Sequence, residues 1–563
     1  MATIDNTVDI KPRKINHSSA KGWLVIAFSI ALLVMLPLLT ILWLAFNPTE
    51  NIWPHLLDTM LPRYIKNTLI LMLGVGACTI FGGVITAWMV TMCRFPGRAI
   101  FEWALLLPMA VPAYVVAYVY TDLLEYAGPI QMMFREAFGW TLKSQYYFPE
   151  IRSHGGAILM LSLVLYPYVY MLTRASFIQQ SVCVLEAGRV LGRSPWACFF
   201  SIALPLARPA LVVGVSLVLM ETLNDFGTID FFGVHTLTAG VFDVWMTQGN
   251  IGGAAQIAMV MLVFVIGLLW IERASRKGQR YHGTSSKYQA LPGFKLRGWK
   301  MWAAIWICSI PIFFGFILPA GVLLFYAVGH WEVSWTTQFF EYARNSLLLS
   351  ASAASIAVSI GVVLAYALRL HGTKGLTVAT RLASVGYAIP GAVLAIGVLV
   401  PFAWMDNTID GIMRAQFDFS TGLILSGTAF AIIFAYVVRF LAVGLGGVEA
   451  GLSKVTPHMD DAARSLGATP SAALKLVHLP MIRSAILGGG ILVFVDAMKE
   501  LPATLILRPF NFDTLATYVY QFASDELLEE CALGALTIVI VGILPVILLS
   551  KAIRTSRPGH DNS

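Results

Sequence analysis

Long apolar blocks separated by short polar segments run through the whole 563-residue chain. Each block holds about twenty apolar residues, the length at which an α-helix crosses the hydrocarbon core of a bilayer. A helix satisfies its own backbone polar groups there, and the blocks lack the alternating pattern of barrel strands. The pattern predicts an all-α polytopic membrane protein with twelve spans, at 23–46, 68–92, 101–123, 156–176, 206–229, 254–272, 302–328, 346–369, 380–404, 421–441, 484–507 and 531–550.

The composition agrees with this class, because 58% of the residues are hydrophobic and only 12% are charged. Soluble domains carry about 25% charged residues. The first apolar run is too long for a signal-peptide core and lacks a small-residue cleavage site, so we expect it to remain as an anchor. The six cysteines show no metal-ligand spacing, which favours buried thiols over disulfides or a metal site: Cys78, Cys93, Cys183, Cys198, Cys308 and Cys531.

Basic residues are distributed unevenly between alternate loops. Lys and Arg crowd both termini and the central segment 273–300, which holds eight of them and no acidic residue. Since basic loops mark the cytoplasmic side, we predict that both termini and this linker are cytoplasmic, which requires an even number of spans. The linker is then a solvated basic tether near anionic lipid, and the net charge of +7 requires no nucleic-acid partner.

The chain repeats itself. "YIKNTLIL" echoes "YARNSLLL", and "LLPMAVPAYVVAY" echoes "VGYAIPGAVLAIG", both at an offset of 278 residues. A half at 1–272, with a core from about 65, and a half at 301–563, with a core from about 342, would each hold six spans in the same orientation. Such a parallel repeat implies a pseudo-two-fold axis along the membrane normal and a pathway between the halves. The aligned pairs are Asn67 with Asn345, Pro112 with Pro390, Glu186 with Asp461, and Pro205 with Pro480.

A polar element at 460–480 lies between apolar blocks, and 186–205 repeats its layout. In the second copy, Thr456 is placed to cap a helix and Gly467 to end it in a left-handed conformation. Thr469 and Pro470 then start a second helix that we expect to run to Leu479–Pro480. A single copy would suit a plain connector, but two matching copies favour a docking element. A DNA-binding helix-turn-helix needs a basic recognition face and access to a groove, which spans on either side deny it.

These two copies resemble the signature cytoplasmic loop of permease subunits of binding-protein-dependent ABC importers. Gly188 stands where alanine is usual, and Asp461 where glutamate is usual. The resemblance implies two type I importer permease halves in a bacterial inner membrane, a periplasmic substrate-binding protein, and two copies of a cytoplasmic ATPase, each holding one loop helix. The residues assigned to ATPase coupling are Glu186, Ala187, Gly188, Gly192, Leu204, Pro205, Asp461, Ala462, Ala463, Gly467, Leu479 and Pro480.

The stretches 221–234 and 499–526 look like those of the fused, two-core permeases of ferric iron importers. Importers of thiamine and polyamines have related permeases, so these substrates stay as alternatives, as does an ion-gradient-driven secondary transporter. The chain contains no GxxxxGK[ST] phosphate loop. We therefore expect no enzyme activity and no cofactor in this chain, with ATP and Mg²⁺ bound by the partner ATPase.

Charged residues lie at membrane depth in the fifth span of each half, where they are costly and usually functional. Glu221 and Asp225 align with Asp496 and Glu500, and each pair has the i, i+4 spacing that places both carboxylates on one helix face. We predict that these four acids line the path, because carboxylates suit a hard cation such as ferric iron. A polar contact between the halves, with Lys499 neutralising a neighbour, is the alternative.

Four tyrosines form two i, i+4 pairs in the third and fourth spans: Tyr114, Tyr118, Tyr166 and Tyr170. Phenolate oxygens can bind ferric iron, but packing and interfacial anchoring explain tyrosines equally well. Pro108, Pro112 and Pro390 are expected to kink their spans rather than contact substrate. No metal site is assigned.

Overall fold

The computed structural model describes residues 17–48, 50–180, 190–192, 194–276, 293–453 and 455–554. In the first half these residues form α1 His17–Phe46, α2 Trp53–His55, a π turn Leu56–Met60, α3 Leu61–Met92, β1 Cys93–Arg94, α4 Arg98–Ala104, a 3₁₀ turn Leu107–Ala110, α5 Ala113–Leu124, α6 Pro129–Phe138, a 3₁₀ turn Lys143–Gln145, α7 His154–Gln179, α8 Pro195–Cys198, a π turn Phe199–Ala203, α9 Leu204–Asn224, α10 Gly227–Phe231, α11 Leu237–Phe242, a π turn Asp243–Thr247 and α12 Ile251–Arg276.

The second half begins with β2 Phe294–Lys295, which pairs in parallel with β1. It continues with α13 Trp299–Ile312, a π turn Phe313–Ile317, α14 Leu318–Gly329, α15 Trp331–Ser334, α16 Thr337–His371, α17 Lys374–Ala383, a 3₁₀ turn Val385–Ala388, α18 Gly391–Phe417, α19 Ala429–Leu452, α20 Pro457–Ser465, α21 Pro470–Ala473, a π turn Leu474–His478, α22 Leu479–Met498, α23 Pro502–Leu507, α24 Leu515–Ser524 and α25 Leu528–Arg554.

Eleven of the described helical stretches are long and apolar enough to cross a membrane. A twelfth crossing results if Arg98–Ala110 and Ala113–Phe138, which meet at 87°, count as one broken span. These regions overlap the twelve predicted spans, so the all-α polytopic fold is confirmed.

The spans predicted at 101–123 and 380–404 are not continuous helices. In each, a 3₁₀ turn ends just before a proline, and Pro112 and Pro390 take extended ψ values of 141° and 140° as the N-caps of α5 and α18. Proline lacks the N–H that a continuous helix would need at this point, and it disfavours helical geometry in the preceding residue. The two prolines therefore break their spans more sharply than the predicted kinks.

A π turn comes directly before each of four Leu-Pro pairs, at Leu61, Leu204, Leu318 and Leu479. In each case the leucine N–H bonds to the carbonyl five residues back, as from Leu479 to Leu474. The wider turn relieves the clash between the following proline ring and the carbonyl four residues before it. The second helix of each repeated element was predicted to run to its Leu-Pro pair, but it continues through the pair and becomes the next span.

Matching hydrogen bonds in the two halves confirm the predicted repeat. The side-chain amides of Asn67 and Asn345 donate to the carbonyls of His235 and Asp513, at 2.8 and 3.0 Å. The hydroxyl of the next residue in each half, a threonine or a serine, accepts the first backbone N–H of α11 or α24, at 3.1 and 2.7 Å. Each pair of bonds ties the start of a core helix to the segment that follows the fifth span.

The first span of each half packs against helices of the other half. Helix α1 lies along α17 and α18 as well as α12, and the close approach needs glycine because a Cβ at Gly397 would lie 2.4 Å from the Pro37 carbonyl oxygen. The first span of the second half likewise contacts the first half, because the hydroxyl of Tyr120 on α5 donates to the carbonyl of Phe314 in that span at 2.7 Å. The buried apolar clusters consequently include residues of both halves.

Candidate functional site

The fifth span of each half ends before its second acidic residue. Helix α9 stops at Asn224, and the Asp225 carboxylate accepts the N–H groups of Thr228 and Ile229 at 3.0 and 3.3 Å. Helix α22 stops at Met498, and Glu500 Oε1 accepts the Ala503 N–H at 3.2 Å. The prediction that each acid pair shares one helical face is therefore wrong, because each second carboxylate caps a new short helix.

All four predicted acids nevertheless meet in one place. Glu221, Asp225, Asp496 and Glu500 line a cavity of about 110 Å³ between the halves, which we call the central chamber. Its walls come from α5, α7 and α9 of the first half, and from the 3₁₀ turn Val385–Ala388, α19 and α22 of the second. The other polar side chains that line it are Tyr114, Tyr168, Asn224, Tyr387, Arg439 and Lys499.

The second half supplies both cations of the chamber wall. Lys499 Nζ lies 3.1 Å from Asp496 Oδ1, and Arg439 Nη1 lies 3.5 Å from Glu500 Oε1. On the first-half side, Glu221 accepts a hydrogen bond from the Tyr387 hydroxyl at 3.3 Å. Among the lining residues, four carboxylates thus face two cations, and the chamber carries excess negative charge when all six groups are ionised.

Sequence reasoning missed Arg439, Tyr168, Tyr387 and Asn224. Arg439 offered a signal, because it is a lone charge in the middle of the apolar helix α19 and such charges mark functional sites. The two tyrosines and the asparagine resemble many others in the chain, and only the packing of six segments brings them together. Gly391 also belongs here, since a Cβ at this position would lie 2.5 Å from Glu500 Oε1.

The four tyrosines singled out by sequence separate into two groups. The hydroxyls of Tyr166 and Tyr170 donate to the carbonyls of Leu105 and Glu102 at 2.7 and 3.0 Å, which is a packing role. Tyr118 is buried with its ring 4.6 Å from that of Phe231. Of the four, Tyr114 alone lines the chamber.

The second repeated element, at 456–480, has the predicted helix–stop–helix form. Helix α20 follows Thr456, whose side chain does not make the predicted capping hydrogen bond, and Gly467 has a φ of 80°, the left-handed conformation expected of it. The Ala468 N–H bonds to the Ala463 carbonyl at 3.0 Å across this turn, and Thr469 caps α21. The exposed side of α20 carries Asp461 and Ala462, while Ala463 is buried.

Asp460, next to the predicted coupling residue Asp461, fastens α20 to two spans. One carboxylate oxygen accepts from Arg369 Nη2 at 2.9 Å, and the other lies 2.6 Å from Nε2 of His478, which is 1% exposed. Arg369, near the end of α16, also donates to the carbonyls of Leu452 and Val455, both at 2.7 Å. We call this set the Asp460 clamp.

The first repeated element is described only in part. Glu186, Ala187 and Gly188 lie outside the described residues, as does 277–292 of the predicted linker. Gly192 has a φ of 75°, matching Gly467, and Leu204–Pro205 begins α9 as Leu479–Pro480 begins α22. Both elements leave a leucine uncovered, since Leu191 is 79% and Leu466 is 88% exposed.

Residues 79–281 and 357–556 each match the family described as the inner membrane component of binding-protein-dependent transport systems. The two matches cover more than half of the chain, and the chain belongs to this family. It is accordingly a multi-pass inner-membrane transport subunit with two family cores. Membership implies a substrate-binding protein and an ATPase as partners.

Several curated proteins are similar to this chain. The Fe(3+)-transport system permease protein FbpB 2 of Haemophilus influenzae is 25% identical over 497 residues, which cover 86% of this chain and 89% of that protein. The ferric transport system permease protein FbpB of Actinobacillus pleuropneumoniae is 23% identical over 516 residues, or 85% and 69% of the two chains. The molybdenum transport system permease protein ModB of Escherichia coli is 30% identical over 205 residues, covering 35% of this chain and 86% of that protein.

Proposed function

We propose that this chain is the permease of an ATP-driven importer that moves ferric iron from a periplasmic binding protein to the cytoplasm. The observation that carries the proposal is the central chamber, where four carboxylates face two cations between the two halves. A hard cation is matched by oxygen ligands and negative charge. The ferric permeases similar to this chain over 85% and 86% of its length support the same substrate.

In this proposal the halves 1–272 and 301–563 each receive one ATPase copy at a cytoplasmic loop, with both termini and the linker in the cytoplasm. The ATPases bind ATP and Mg²⁺, and their closure moves the loops and opens the chamber to alternate sides. The exposed Leu191 and Leu466 support docking there, because uncovered apolar side chains on a polar element suit a protein partner. The motif residues from Glu186 to Gly192 and from Asp461 to Gly467 would make these contacts.

The charge of the chamber discriminates between substrates. An anionic substrate would need surplus cations, whereas this wall carries surplus carboxylates. Thiamine and polyamines are organic cations and remain the competing substrates. A secondary transporter would move its substrate without an ATPase, so dependence of uptake on ATP separates that class.

The test uses the permease, its ATPase and its iron-loaded binding protein reconstituted in proteoliposomes. Changing Glu221→Gln together with Asp496→Asn leaves two chamber carboxylates against two cations, so the charge surplus disappears. We expect ATP-dependent ferric iron uptake to fall at least about tenfold, since each lost charge–charge contact at this depth is worth on the order of 1 kcal/mol or more. Glu150→Gln, an exposed carboxylate paired with Lys143, is the matched control and should transport normally.

Normal iron uptake by the double variant, at equal amounts of assembled complex, would show that these acids do not form the path. Uptake of thiamine or spermidine in place of iron by the unmodified complex would replace the proposed substrate. Uptake that proceeds without the ATPase would place the protein in the secondary-transporter class.

A further inference from the structure

In addition to Arg439 Nη1, which lies 3.5 Å from Glu500 Oε1, two oxygen atoms of the central chamber are buried without a hydrogen-bond partner among the described residues. They are the hydroxyl oxygen of Tyr114 and Oδ1 of Asn224, and each side chain is 5% exposed. Both residues line the chamber. An unpaired buried polar group costs stability, so a protein that keeps two of them at one cavity requires another reason for their presence.

Both unpaired oxygen atoms belong to the first half, as do Glu221 and Asp225. At the positions that the internal repeat matches to Tyr114 and Asn224, the second half has Ala392 and Lys499. The second-half wall is therefore the one that holds the cations and ion pairs, and the first-half wall holds acids and neutral oxygen atoms. The pseudo-two-fold axis relates the backbones of the two walls but not their chemistry.

We infer that the first-half wall of the chamber is a transient binding site for the transported metal cation. Glu221 and Asp225 supply negative charge, while Tyr114 and Asn224 supply uncharged oxygen atoms to the ion or to water molecules bound to it. Hard cations take ligand sets of this mixed type, with carboxylate, carbonyl and water oxygens. Lys499 and Arg439 repel a cation from the opposite wall, so the ion is held off the chamber axis. The inference rests on the proposed function and deepens it.

The site also explains why the neutral oxygens are useful. Carboxylates alone would hold a trivalent ion too tightly for release, because conduction requires binding that is favourable but weak enough to leave. Both acids are already engaged, Glu221 by the Tyr387 hydroxyl and Asp225 by the start of α10. Neutral oxygen atoms complete the ion's surroundings without adding charge.

Tyr114→Phe tests the site, because it removes only the unpaired hydroxyl. In the reconstituted complex we expect iron uptake per assembled complex to fall about tenfold, the effect of losing one contact to a charged group. The unfolding temperature of this variant should equal or exceed that of the unmodified protein, since no hydrogen bond is lost. Asn224→Leu, of similar volume, should have the same two effects.

Tyr166→Phe is the matched control, since its hydroxyl donates to the Leu105 carbonyl. This variant should have a lower unfolding temperature and normal uptake per assembled complex. If the unmodified complex carries iron and both Tyr114→Phe and Asn224→Leu show normal uptake, the proposed binding site is contradicted but the proposed function is not. A lowered unfolding temperature in Tyr114→Phe would identify a structural hydroxyl and also overturn it. Failure of the unmodified complex to carry iron would instead contradict the proposed function.

Discussion

Replacing Asp460 with asparagine should loosen the second repeated element without unfolding the protein. The carboxylate holds Arg369 through Nε and Nη2, at 3.1 and 2.9 Å, and contacts His478 at 2.6 Å. Hydrogen bonds to charged groups are worth about 1.5–3 kcal/mol each, and side chains that are 18% and 19% exposed retain most of that value. Asparagine keeps one acceptor oxygen, so we expect α20 to lose about 2–4 kcal/mol of attachment.

The functional consequence follows from the continuity of one helix. His478 lies in the helical stretch Pro470–Met498, which carries Asp496 in the chamber wall 18 residues further on. At about 1.5 Å per residue, the clamp and the chamber are the two ends of a rod roughly 27 Å long. If an ATPase moves α20, a loosened clamp should transmit less of that movement, and the ratio of iron transported to ATP hydrolysed should fall severalfold.

The assay measures iron uptake and ATP hydrolysis in the same proteoliposomes. Glu449→Gln, an exposed carboxylate near the end of α19, is the control for loss of a nearby negative charge and should leave the ratio unchanged. A proportional fall of uptake and hydrolysis in Asp460→Asn would indicate less assembled protein rather than weaker coupling. An unchanged ratio together with easier proteolysis of the loop would refute the idea that the clamp transmits movement.

Two glycine substitutions test local geometry. Gly391→Ala places a Cβ 2.5 Å from Glu500 Oε1 and 2.7 Å from Arg439 Nη1, so thermal unfolding should show a loss of about 1–3 kcal/mol; Gly411→Ala on the same helix, with open space around it, should not. Gly467→Ala forces a side chain into a φ of 80° at a cost of about 1 kcal/mol, which limited proteolysis between α20 and α21 should detect. Equal cleavage rates in Gly467→Ala and in Gly488→Ala, a helical position with open space, would contradict that expectation.

The features that local sequence determines were predictable. Twelve apolar blocks gave the spans because bilayer thickness fixes helix length. The repeat was visible in the sequence because each half has an asparagine, Asn67 or Asn345, at the position that makes the same hydrogen bond. The left-handed turn at Gly467 was predictable because few other residues adopt that conformation.

The features that depend on tertiary placement were not predictable. The acids at 225 and 500 were assigned to continuous helices, since nothing local shows that their carboxylates cap new helices instead. We predicted that all four acids line one path, but on the assumption that each pair shares a helical face, which is wrong. The packing of the two halves brings the four acids to one cavity instead. In the Asp460 clamp, Arg369 and His478 lie 91 and 18 positions from Asp460 in the chain. No helical or strand periodicity predicts contacts at these separations.

The packing of α1 against helices of the second half has a consequence for biosynthesis. Helix α1 is synthesised before its partners α17 and α18, which begin more than 300 residues later, at Lys374 and Gly391. At about 5–20 residues per second, α1 waits roughly 15 to 65 seconds for them, with its neighbouring surface covered by lipid or by the insertion machinery. The first half therefore cannot mature as a finished unit while the second is being made. Fusing both halves into one chain keeps the late partners tethered beside the waiting helix.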